Sequence, residues 1–457
     1  MAEPIRIRLK NNLRVTGIPS ELRQILVDKL AFDNPKWIEN NRMGRWNGGV
    51  PRKLKFYSKI KNDGLWIPRG FLRQLILLSR QQGLEVNIDD QRRSLPAVSY
   101  NFTGQLRPFQ RAAVDRMLIK DFGTLSSPTG SGKTVMAIYM IAQRQQPALI
   151  IVHTKDLARQ WQQRIETFLD IPAGQIGMIG GGKTSIGDRV TIAMVQSLYK
   201  CADEAAPHIG HLIVDECHRA PSRTFTEAVT EFDSRYMLGL SATPYRRDNL
   251  SRLIFWHLGD VHHQIDQKGL VKTGHVLQAE VIYRYTGFRP YFDPVREYSK
   301  MLAELTANDE RNRMIAADVA REVENDNGVC LVLSDRKKHC QTLQSLLRFK
   351  HKLEADLLTG DLSGPERKQV IGRLDSGRLR VLVATGQLIG EGFDSRVLTT
   401  LFMATPVRFS GRVIQYVGRI LRPAPGKDRA RVYDYVDVHV EPLVKAARAR
   451  KKVYGDA

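Results

Sequence analysis

The sequence has 457 residues, 42% of them hydrophobic, and its formal net charge at pH 7 is +22. This length predicts about three domains, and the basic balance favours a polyanionic partner, because each neutralised phosphate releases condensed counterions. No apolar run approaches the roughly 18 residues that cross a bilayer, and the first residues lack the apolar segment of a secretory signal. These two features lead us to expect a cytoplasmic protein without a membrane partner. The four cysteines are widely spaced, so we also expect no disulfide framework.

Residues 1–100 are predicted to form a small, basic α+β domain. Between residues 41 and 80 the chain carries ten Lys and Arg residues against a single acid, and three of its five tryptophans lie in the first 100 residues. The segment 34–57 combines Trp, Arg and Asn with a Gly-Gly pair, which predicts a hairpin. Basic side chains would bind phosphates and an exposed ring would stack on a base, although a solvated basic face is the alternative. The predicted nucleic-acid contacts are Trp37, Arg42, Arg45 and Trp46.

From residue 101 onward, short apolar runs alternate with helical segments, as in ALIIV (148–152) followed by KDLARQWQQRIETF (155–168). Fully apolar strands that alternate with helices indicate a parallel sheet covered on both faces. The same pattern returns in the last third of the chain. The predicted organisation is a basic domain at 1–100, two tandem parallel-sheet α/β domains at 101–285 and 286–440, and a basic tail at 441–457.

Two segments resemble the phosphate-binding pattern G-x-x-x-x-G-K-[ST]. GMIGGGKT (177–184) fits it at every position, whereas SPTGSGKT (127–134) has Ser127 in place of the first glycine. A phosphate loop binds its anion because a helix starts directly after it and points its amides and dipole at the phosphate. A helical run, VMAIYMIAQRQQ, follows SPTGSGKT, but a turn and a strand follow GMIGGGKT. We therefore predict a turn between strands at 177–184 and the nucleotide site at 127–134.

The predicted phosphate loop gives its residues distinct roles. Glycines provide flexibility, Lys133 would reach the β- and γ-phosphates, and Thr134 would bind Mg²⁺. The residues predicted to contact the nucleotide here are Ser127, Pro128, Thr129, Gly130, Ser131, Gly132, Lys133 and Thr134.

Two acids follow the predicted buried strand HLIV (211–214). Parallel α/β folds present their ligands at the carboxyl ends of strands. Asp215 is therefore predicted to hold Mg²⁺, and Glu216 to orient or deprotonate the attacking water. Paired acids after a strand are common, so their significance depends on the phosphate loop that precedes them.

Near the end of the second α/β region, QYVGRILRP (415–423) places Arg419 and Arg422 three residues apart on one helical face. A guanidinium at the γ-phosphate would stabilise the charge that develops during phosphoryl transfer. The alternative interpretation is a surface helix that happens to carry two arginines.

Taken in order, these segments resemble the motifs of superfamily 2 helicases and translocases. SPTGSGKT is similar to motif I, DECH (215–218) to motif II and QYVGRILR (415–422) to motif VI. The other matching segments are LRPFQ (106–110) for the adenine-contacting motif, IVHTKDLARQW (151–161) for motif Ia, IAMVQSL (192–198) for Ib, LGLSATP (238–244) for III, CLVLSDR (330–336) for IV and ATGQLIGEGFD (384–394) for V.

This resemblance implies two RecA-like domains, with ATP between them and nucleic acid across both. The residues implied to contact the nucleotide are Arg107, Gln110, Gly390, Asp394 and, near the γ-phosphate, Gln415. The residues implied to touch the nucleic-acid backbone are Thr154, Gln196, Ser334 and Thr385. Ser241 and Thr243 would couple hydrolysis to strand movement. For the hydroxyl groups, helix capping or turn bonding is the alternative.

The details favour a DNA motor. HTKDL and QYVGRILR differ from the PTREL and HRIGRTGR patterns of DEAD-type RNA helicases. GLSATPYRRD (239–248) instead resembles DNA-repair helicases of the xeroderma pigmentosum group B type and restriction-enzyme motors, although Arg246, Arg247 and Asp248 depart from a strict Arg-Glu-Asp. The basic domain, through NRMGRWN, resembles that of phage and bacterial branched-DNA helicases, and RNA or protein docking is its alternative.

We therefore expect an ATP- and Mg²⁺-dependent DNA helicase or translocase that acts as a monomer on duplex DNA, branched or damaged, in repair, recombination or replication. Its expected location is the cytoplasm, at the nucleoid. Two alternatives are open: an RNA-dependent ATPase, and a binding protein whose nucleic-acid affinity is switched by nucleotide without strand movement.

Overall fold

The computed structural model describes residues 4–455, apart from 62, 220–222, 243–249, 326–327, 391–392, 394 and 408–409. The chain divides into two compact units. Unit 1 comprises Met1–Ser127 and Lys133–Ile265, and unit 2 comprises Pro128–Gly132 and Asp266–Ala457. None of the helices in the described residues has the length and apolar character needed to cross a membrane.

An N-terminal sheet opens unit 1. Its strands, and a short separate pair formed by β3 and β4, are β1 (Ile5–Leu9), β2 (Asn12–Thr16), β3 (Ala31–Asp33), β4 (Lys53–Lys55), β5 (Ser58–Lys59), β6 (Leu65–Pro68) and β7 (Val86–Asp90). The accompanying helices are α1 (Ser20–Lys29), α2 (Pro35–Arg42) and α3 (Leu72–Gln81). The sheet order is β5-β6-β2-β1-β7, with β1 and β7 parallel and the other pairs antiparallel. This confirms the predicted α+β class of the N-terminal domain.

The prediction of a hairpin over residues 34–57 is wrong in its centre. Asn34 caps α2, since its side chain accepts a hydrogen bond from the Lys36 amide at 3.0 Å, and Pro35 occupies the first helical turn. Both residue types favour a helix start at these positions. The short strands β3 and β4 do pair antiparallel, but they enclose a helix and a loop.

The second sheet of unit 1 is the predicted parallel one. Its strands are β8 (Phe122–Ser126), β9 (Ala148–Val152), β10 (Gly177–Gly180), β11 (Lys183–Ser185), β12 (Val190–Met194), β13 (His211–Val214), β14 (Tyr236–Ser241) and β15 (Val261–Gln264). Its helices are α4 (Pro108–Leu118), α5 (Lys133–Arg144), α6 (Lys155–Leu169), α7 (Val195–Leu198), α8 (Ala202–Ala205), α9 (Arg223–Thr230) and α10 (Ser251–Leu258). The order is β11-β10-β12-β9-β13-β14-β8-β15, parallel except for the edge strand β11. Every residue of β9 and β13 is buried, as expected of central parallel strands.

The two sheets of unit 1 share packing. Leu253 and Trp256 of α10 belong to the same buried cluster as Ile5 of β1 and Leu75 of α3. Arg69 is buried as well, and its Nη1 donates to the Ser234 carbonyl at 2.8 Å. The N-terminal domain is therefore joined to the first α/β sheet by a common core.

Unit 2 contains the third sheet, also parallel. Its strands are β16 (Ala279–Thr286), β17 (Val329–Ser334), β18 (Ala355–Leu358), β19 (Val381–Thr385), β20 (Leu398–Met403) and β21 (Ala430–Asp437). Its helices are α11 (Gln267–Lys272), α12 (Tyr298–Ala307), α13 (Asp309–Asn325), α14 (Lys337–His351), α15 (Gly364–Asp375), α16 (Gly386–Gly390), α17 (Ser410–Ile420) and α18 (Glu441–Gly455). The order β16-β21-β20-β17-β19-β18 completes the predicted pair of tandem parallel-sheet α/β domains.

Two predicted boundaries differ from the structure. The boundary at 285/286 falls inside β16, which pairs along its length with β21, so hydrogen bonding assigns residues from Ala279 onward to the third sheet. The predicted basic tail, 441–457, forms helix α18, whose Arg450 donates to both carboxylate oxygens of Asp434 at 2.6 and 2.8 Å. Because this ion pair is buried, α18 is an integral part of unit 2.

Candidate functional site

The segment 127–134 has the context that phosphate binding requires. Strand β8 ends at Ser126, and α5 begins at Lys133. Gly130 and Gly132 both have a φ of +87°, a conformation that favours glycine. Lys133 Nζ donates to the Ser127 carbonyl at 3.0 Å. The strand–loop–helix arrangement predicted for this segment is confirmed.

The segment 177–184 is a β-hairpin. Strands β10 and β11 pair antiparallel, with Gly180 opposite Lys183. The two residues between them, Gly181 and Gly182, have φ values of +63° and +85°, which is typical of a type I′ turn. The prediction of a turn between strands is confirmed, and here the full match to the phosphate pattern has a structural explanation, because type I′ turns also select glycine.

Asp215 and Glu216 follow β13 at its carboxyl end. Asp215 Oδ1 accepts from the Glu216 amide at 2.9 Å, and Oδ2 accepts from the indole Nε1 of Trp161 at 2.8 Å. Glu216 has a φ of +48°, a left-handed conformation that is uncommon for residues with a side chain. Backbone strain of this kind concentrates at functional sites.

The charges at this sheet edge influence one another. Burial, followed by the negative charge of Glu216, raises the pKa of Asp215 to about 6. The Trp161 hydrogen bond and the positive charge of Lys133 act in the opposite direction. The structure therefore brings the predicted phosphate-loop lysine and the predicted acids into one electrostatic environment, since β8 and β13 are parallel strands separated only by β14.

His218, to which the sequence interpretation assigned no role, links the acids to the next strand. Its Nδ1 lies 3.1 Å from Ser241 Oγ and 3.2 Å from Glu216 Oε2. Ser241 is fully buried at the end of β14. In the sequence, the only sign of this contact is the position of His218 as the last residue of the segment DECH. The coupling role predicted for Ser241 thus has a physical route to the acids. Thr243, Arg246, Arg247 and Asp248 lie outside the described residues.

The chemistry of these side chains fits a nucleotide with Mg²⁺. Mg²⁺ prefers one or two carboxylates together with substrate phosphates, and Asp215 keeps unused lone pairs on both oxygens. Among the described residues, no group of three or more His, Cys, Asp or Glu side chains could hold a metal ion. A cation at this edge would therefore depend on phosphate oxygens for the rest of its coordination, with Thr134, which follows Lys133 in the chain, as the hydroxyl ligand predicted from the sequence.

The residues predicted to contact adenine lie at the start of α4. Arg107 is the N-cap, and Gln110 Oε1 accepts from the Arg107 amide at 2.9 Å. Gln110 is buried. This contact shows the capping function of Gln110, and adenine recognition by either residue stays a prediction.

Residues of the last motif lie on and just after α17. Gln415 and Arg419 are buried. Within unit 2, the segment 128–132 lies against this region: a Cβ built on Gly418 would be 2.5 Å from Cβ of Thr129, and one built on Gly130 would be 3.3 Å from Cγ of Arg422. Arg422 is therefore beside the phosphate loop. Gly390 ends α16, and Asp394 lies outside the described residues.

The hydroxyl and amide groups predicted to contact nucleic acid fall on strand ends. Thr154 and Gln196 follow the neighbouring strands β9 and β12. The Thr154 side chain caps α6 by accepting from the Leu157 amide at 3.3 Å, and exposed Gln196 donates to the His153 carbonyl at 3.5 Å. Capping, the alternative for Thr154, is thus observed, and both side chains share one edge of the sheet.

Ser334 and Thr385 are opposite each other at the ends of β17 and β19. The Ser334 hydroxyl is buried, accepts from the Arg336 amide at 3.1 Å and lies 2.9 Å from His339 Nδ1. A hydroxyl with these contacts orders the start of α14 and does not face solvent. The structure therefore argues against a direct phosphate contact by Ser334, while half-buried Thr385 stays a candidate.

The predicted contacts of the N-terminal domain differ in accessibility. Trp46 is 88% exposed on the loop after α2, and Arg42 and Arg45 beside it are also exposed. Trp37 is half-buried, with the Arg52 guanidinium 5.5 Å from its ring centroid. Trp46 is therefore the better stacking candidate of the two.

Comparison with known proteins supports the motif assignment. Residues 103–246 match the family model described as "Type III restriction enzyme, res subunit", and residues 313–424 match the one described as "Helicase conserved C-terminal domain". The first match includes most strands of the parallel sheet in unit 1, and the second match includes most strands of the sheet in unit 2.

Several named proteins are similar over most of the chain. A protein of Acanthamoeba polyphaga mimivirus, provisionally named an ATP-dependent RNA helicase, is 28% identical over 89% of this chain and 79% of its own length. The DNA 3'-5' translocase XPB2 of Sulfurisphaera tokodaii is 27% identical over 81% of this chain and 88% of its own. The ATP-dependent DNA helicase uvsW of Enterobacteria phage T4 is 22% identical over 92% and 86%.

Among solved structures, a fragment of a provisionally assigned HsdR subunit of a type I restriction enzyme from Vibrio vulnificus is similar, with a TM-score of 0.59. The likeness covers 77% of this chain and 66% of that one, at 19% identity. At this identity the comparison shows a shared fold, here the tandem RecA-like one.

Proposed function

The chain belongs to superfamily 2 of the helicases, a class of ATP-hydrolysing enzymes, and we propose that it uses hydrolysis to move along duplex DNA and separate its strands. Branched or damaged DNA is the proposed substrate, in repair, recombination or replication. The observation that carries this proposal is the meeting of Lys133, Asp215 and Glu216 at one sheet edge, in the same unit as the exposed Trp46 loop.

In the proposed reaction, the residues of the phosphate loop hold the nucleotide through their amides, and Lys133 binds the β- and γ-phosphates. Thr134 and Asp215 hold Mg²⁺, which when bound neutralises charge on those phosphates. Glu216 orients the attacking water and receives its proton. Arg419 and Arg422 stabilise the charge of the transferred phosphoryl group, a contribution on the order of 10³–10⁵ in rate.

DNA is the proposed partner for three reasons. The net charge of +22 favours a polyanion. Exposed Trp46 directly follows exposed Arg45, with exposed Arg42 one turn earlier, and this combination of a ring and positive charge suits stacking on an unpaired base at a branch point. Finally, two of the similar proteins are named for DNA translocation or unwinding.

RNA is the second candidate, because the mimivirus relative carries an RNA helicase name. The discriminating experiment compares ATPase stimulation by DNA and RNA of matched length, and unwinding of forked, four-way-junction, blunt and single-stranded DNA. We expect DNA to stimulate more than RNA and branched DNA to be unwound best. The Glu216→Gln variant should bind DNA but hydrolyse no ATP.

Stronger stimulation by RNA would replace DNA with RNA as the substrate. ATP hydrolysis without unwinding, or without displacement of a triplex-forming strand, would leave a nucleotide-controlled binding protein as the better description. In that case the two arginines of the last motif would have no catalytic task.

A further inference from the structure

Trp161 contacts the acid edge directly. It lies on α6, two turns after the capping residue Thr154, and its indole Nε1 donates to Asp215 Oδ2 at 2.8 Å. Both side chains are buried, Trp161 at 1% exposure and Asp215 at 7%. Strand β9, which precedes α6, pairs with β13, so the helix starts beside the strand that ends at Asp215.

Two hydrogen bonds define the plane of the Asp215 carboxylate. Trp161 holds Oδ2, and the Glu216 amide holds Oδ1 at 2.9 Å. An indole has one donor and no acceptor, whereas a carboxylate accepts at about four lone-pair sites. The two bonds therefore fix the orientation of the group and leave lone pairs on both oxygens for a cation.

We propose that Trp161 is a positioning residue for the cation-binding carboxylate: its indole N–H holds Asp215 in the orientation that ligates the Mg²⁺ accompanying ATP. This inference rests on the proposed function, in which Asp215 holds that ion. Side chains that orient a metal ligand typically contribute about 10–100-fold to metal affinity. If Trp161 only filled space in the core, its replacement would lower folding stability and leave the affinity for Mg²⁺ unchanged.

The test replaces Trp161 with 3-benzothienylalanine, in which sulfur takes the place of the N–H and the ring shape is retained. The primary readout is binding of a fluorescent N-methylanthraniloyl ADP during a Mg²⁺ titration. We expect the half-saturating Mg²⁺ concentration to rise about 10–100-fold, while affinity for the nucleotide in EDTA stays unchanged. Trp161→Phe should shift Mg²⁺ half-saturation in the same direction.

The same replacement at Trp256 is the matched control. Trp256 is also buried, but it packs against Phe32, Phe56 and Phe71, so its replacement should leave Mg²⁺ half-saturation unchanged. Unchanged half-saturation in the Trp161 variant, with or without a lower melting temperature, would overturn the inference. A fall in EDTA affinity equal to that in Mg²⁺ would also overturn it, since the defect would then lie in the nucleotide pocket.

Asp215→Asn separates this inference from the proposed function. If Asp215→Asn raises the half-saturating Mg²⁺ concentration and the Trp161 replacement does not, only the positioning role fails. If Asp215→Asn itself leaves Mg²⁺ dependence unchanged, the proposed metal site fails first.

Discussion

The segments 127–134 and 177–184 both end in Gly-Lys-Thr, yet they form different structures. The first leaves strand β8 and enters helix α5, so its amides converge on the space in front of a helix. The second leaves β10 and returns antiparallel as β11, so its amides belong to a pair of hydrogen-bonded strands and to the tight turn between them. The comparison shows that backbone direction after the lysine, more than the spacing of glycines, decides whether such a segment can bind phosphate.

The surroundings of the two lysines differ as well. Lys133 lies near the buried carboxylate of Asp215 and donates to the Ser127 carbonyl. Lys183 is exposed on the edge strand β11. A nucleotide bound at Lys133 would lie near Asp215 and Glu216, which can take part in its hydrolysis, whereas Lys183 is surrounded by solvent.

Lys133→Ala should lower the turnover of DNA-stimulated ATPase by at least about 10²–10³-fold, because it removes a preorganised positive charge from the phosphates. Lys183→Ala, the matched control, should leave turnover unchanged. The measurement is steady-state phosphate release with saturating DNA, combined with a DNA-binding assay to show that both variants still bind. Equal losses, or a loss confined to Lys183→Ala, would reverse the assignment of the two segments.

Asp215→Asn should stabilise the nucleotide-free protein. The pKa of Asp215 is raised to about 6, chiefly by burial, so the folded state holds the proton more tightly than the unfolded chain. Stability from this group is present at low pH and is lost as pH rises through about 4 to 6. At about pH 7.5, above both pKa values, the ionised carboxylate costs about 3 kcal/mol, which the amide avoids.

The measurement is the melting temperature in EDTA. The gain of Asp215→Asn should be a few degrees at about pH 7.5 and smaller at about pH 5. Asp188→Asn, at an exposed position just beyond the hairpin, should change the melting temperature at neither pH. If Asp215→Asn lowers the melting temperature at the higher pH, then burial of the ionised carboxylate does not destabilise the folded protein.

Gly181→Asn should be the mildest change. It converts the turn to Asn-Gly, a preferred sequence for type I′ turns, and it reduces the freedom of the unfolded chain, a gain of about 0.4–1 kcal/mol at most. ATPase activity should be unchanged, and thermal stability equal or slightly higher. A loss of nucleotide affinity in this variant would contradict the assignment of 177–184 as a structural hairpin.

Much of the architecture could be predicted from local pattern. The apolar runs at β9, β13, β17 and β19 are strands buried on both faces, and the helical run after 127–134 is α5. These predictions succeeded because a parallel sheet covered by helices requires fully apolar strands. The motif order also identified both α/β domains before any contact was known.

Other features differ from what local pattern predicts. Helix α2 was missed because the Gly-Gly pair after it outweighed the Asn-Pro start signal at 34–35. The positive charge of residues 441–457 predicts a solvated basic tail with a helical end, whereas α18 is packed through the buried pair of Arg450 with Asp434, which depends on a strand elsewhere in unit 2. Ser334 was assigned to nucleic acid, but its hydroxyl faces His339. Of these, the pair of Arg450 with Asp434 depends on tertiary packing that sequence spacing does not reveal, whereas the start of α2 and the contact of Ser334 with His339 are local.

The family of this protein, its tandem parallel sheets and the Gly-Lys-Thr segment that precedes a helix can be read from the residues alone, because they follow from periodicity and short-range spacing. Which side chains contact one another depends on the folded chain. The hydrogen bond from Trp161 to Asp215, the contact of His218 with Ser241 and the burial of the acid edge join residues from separate strands and helices. Such contacts arise when parallel strands bring their carboxyl ends to one edge, and that alignment is a property of the folded sheet.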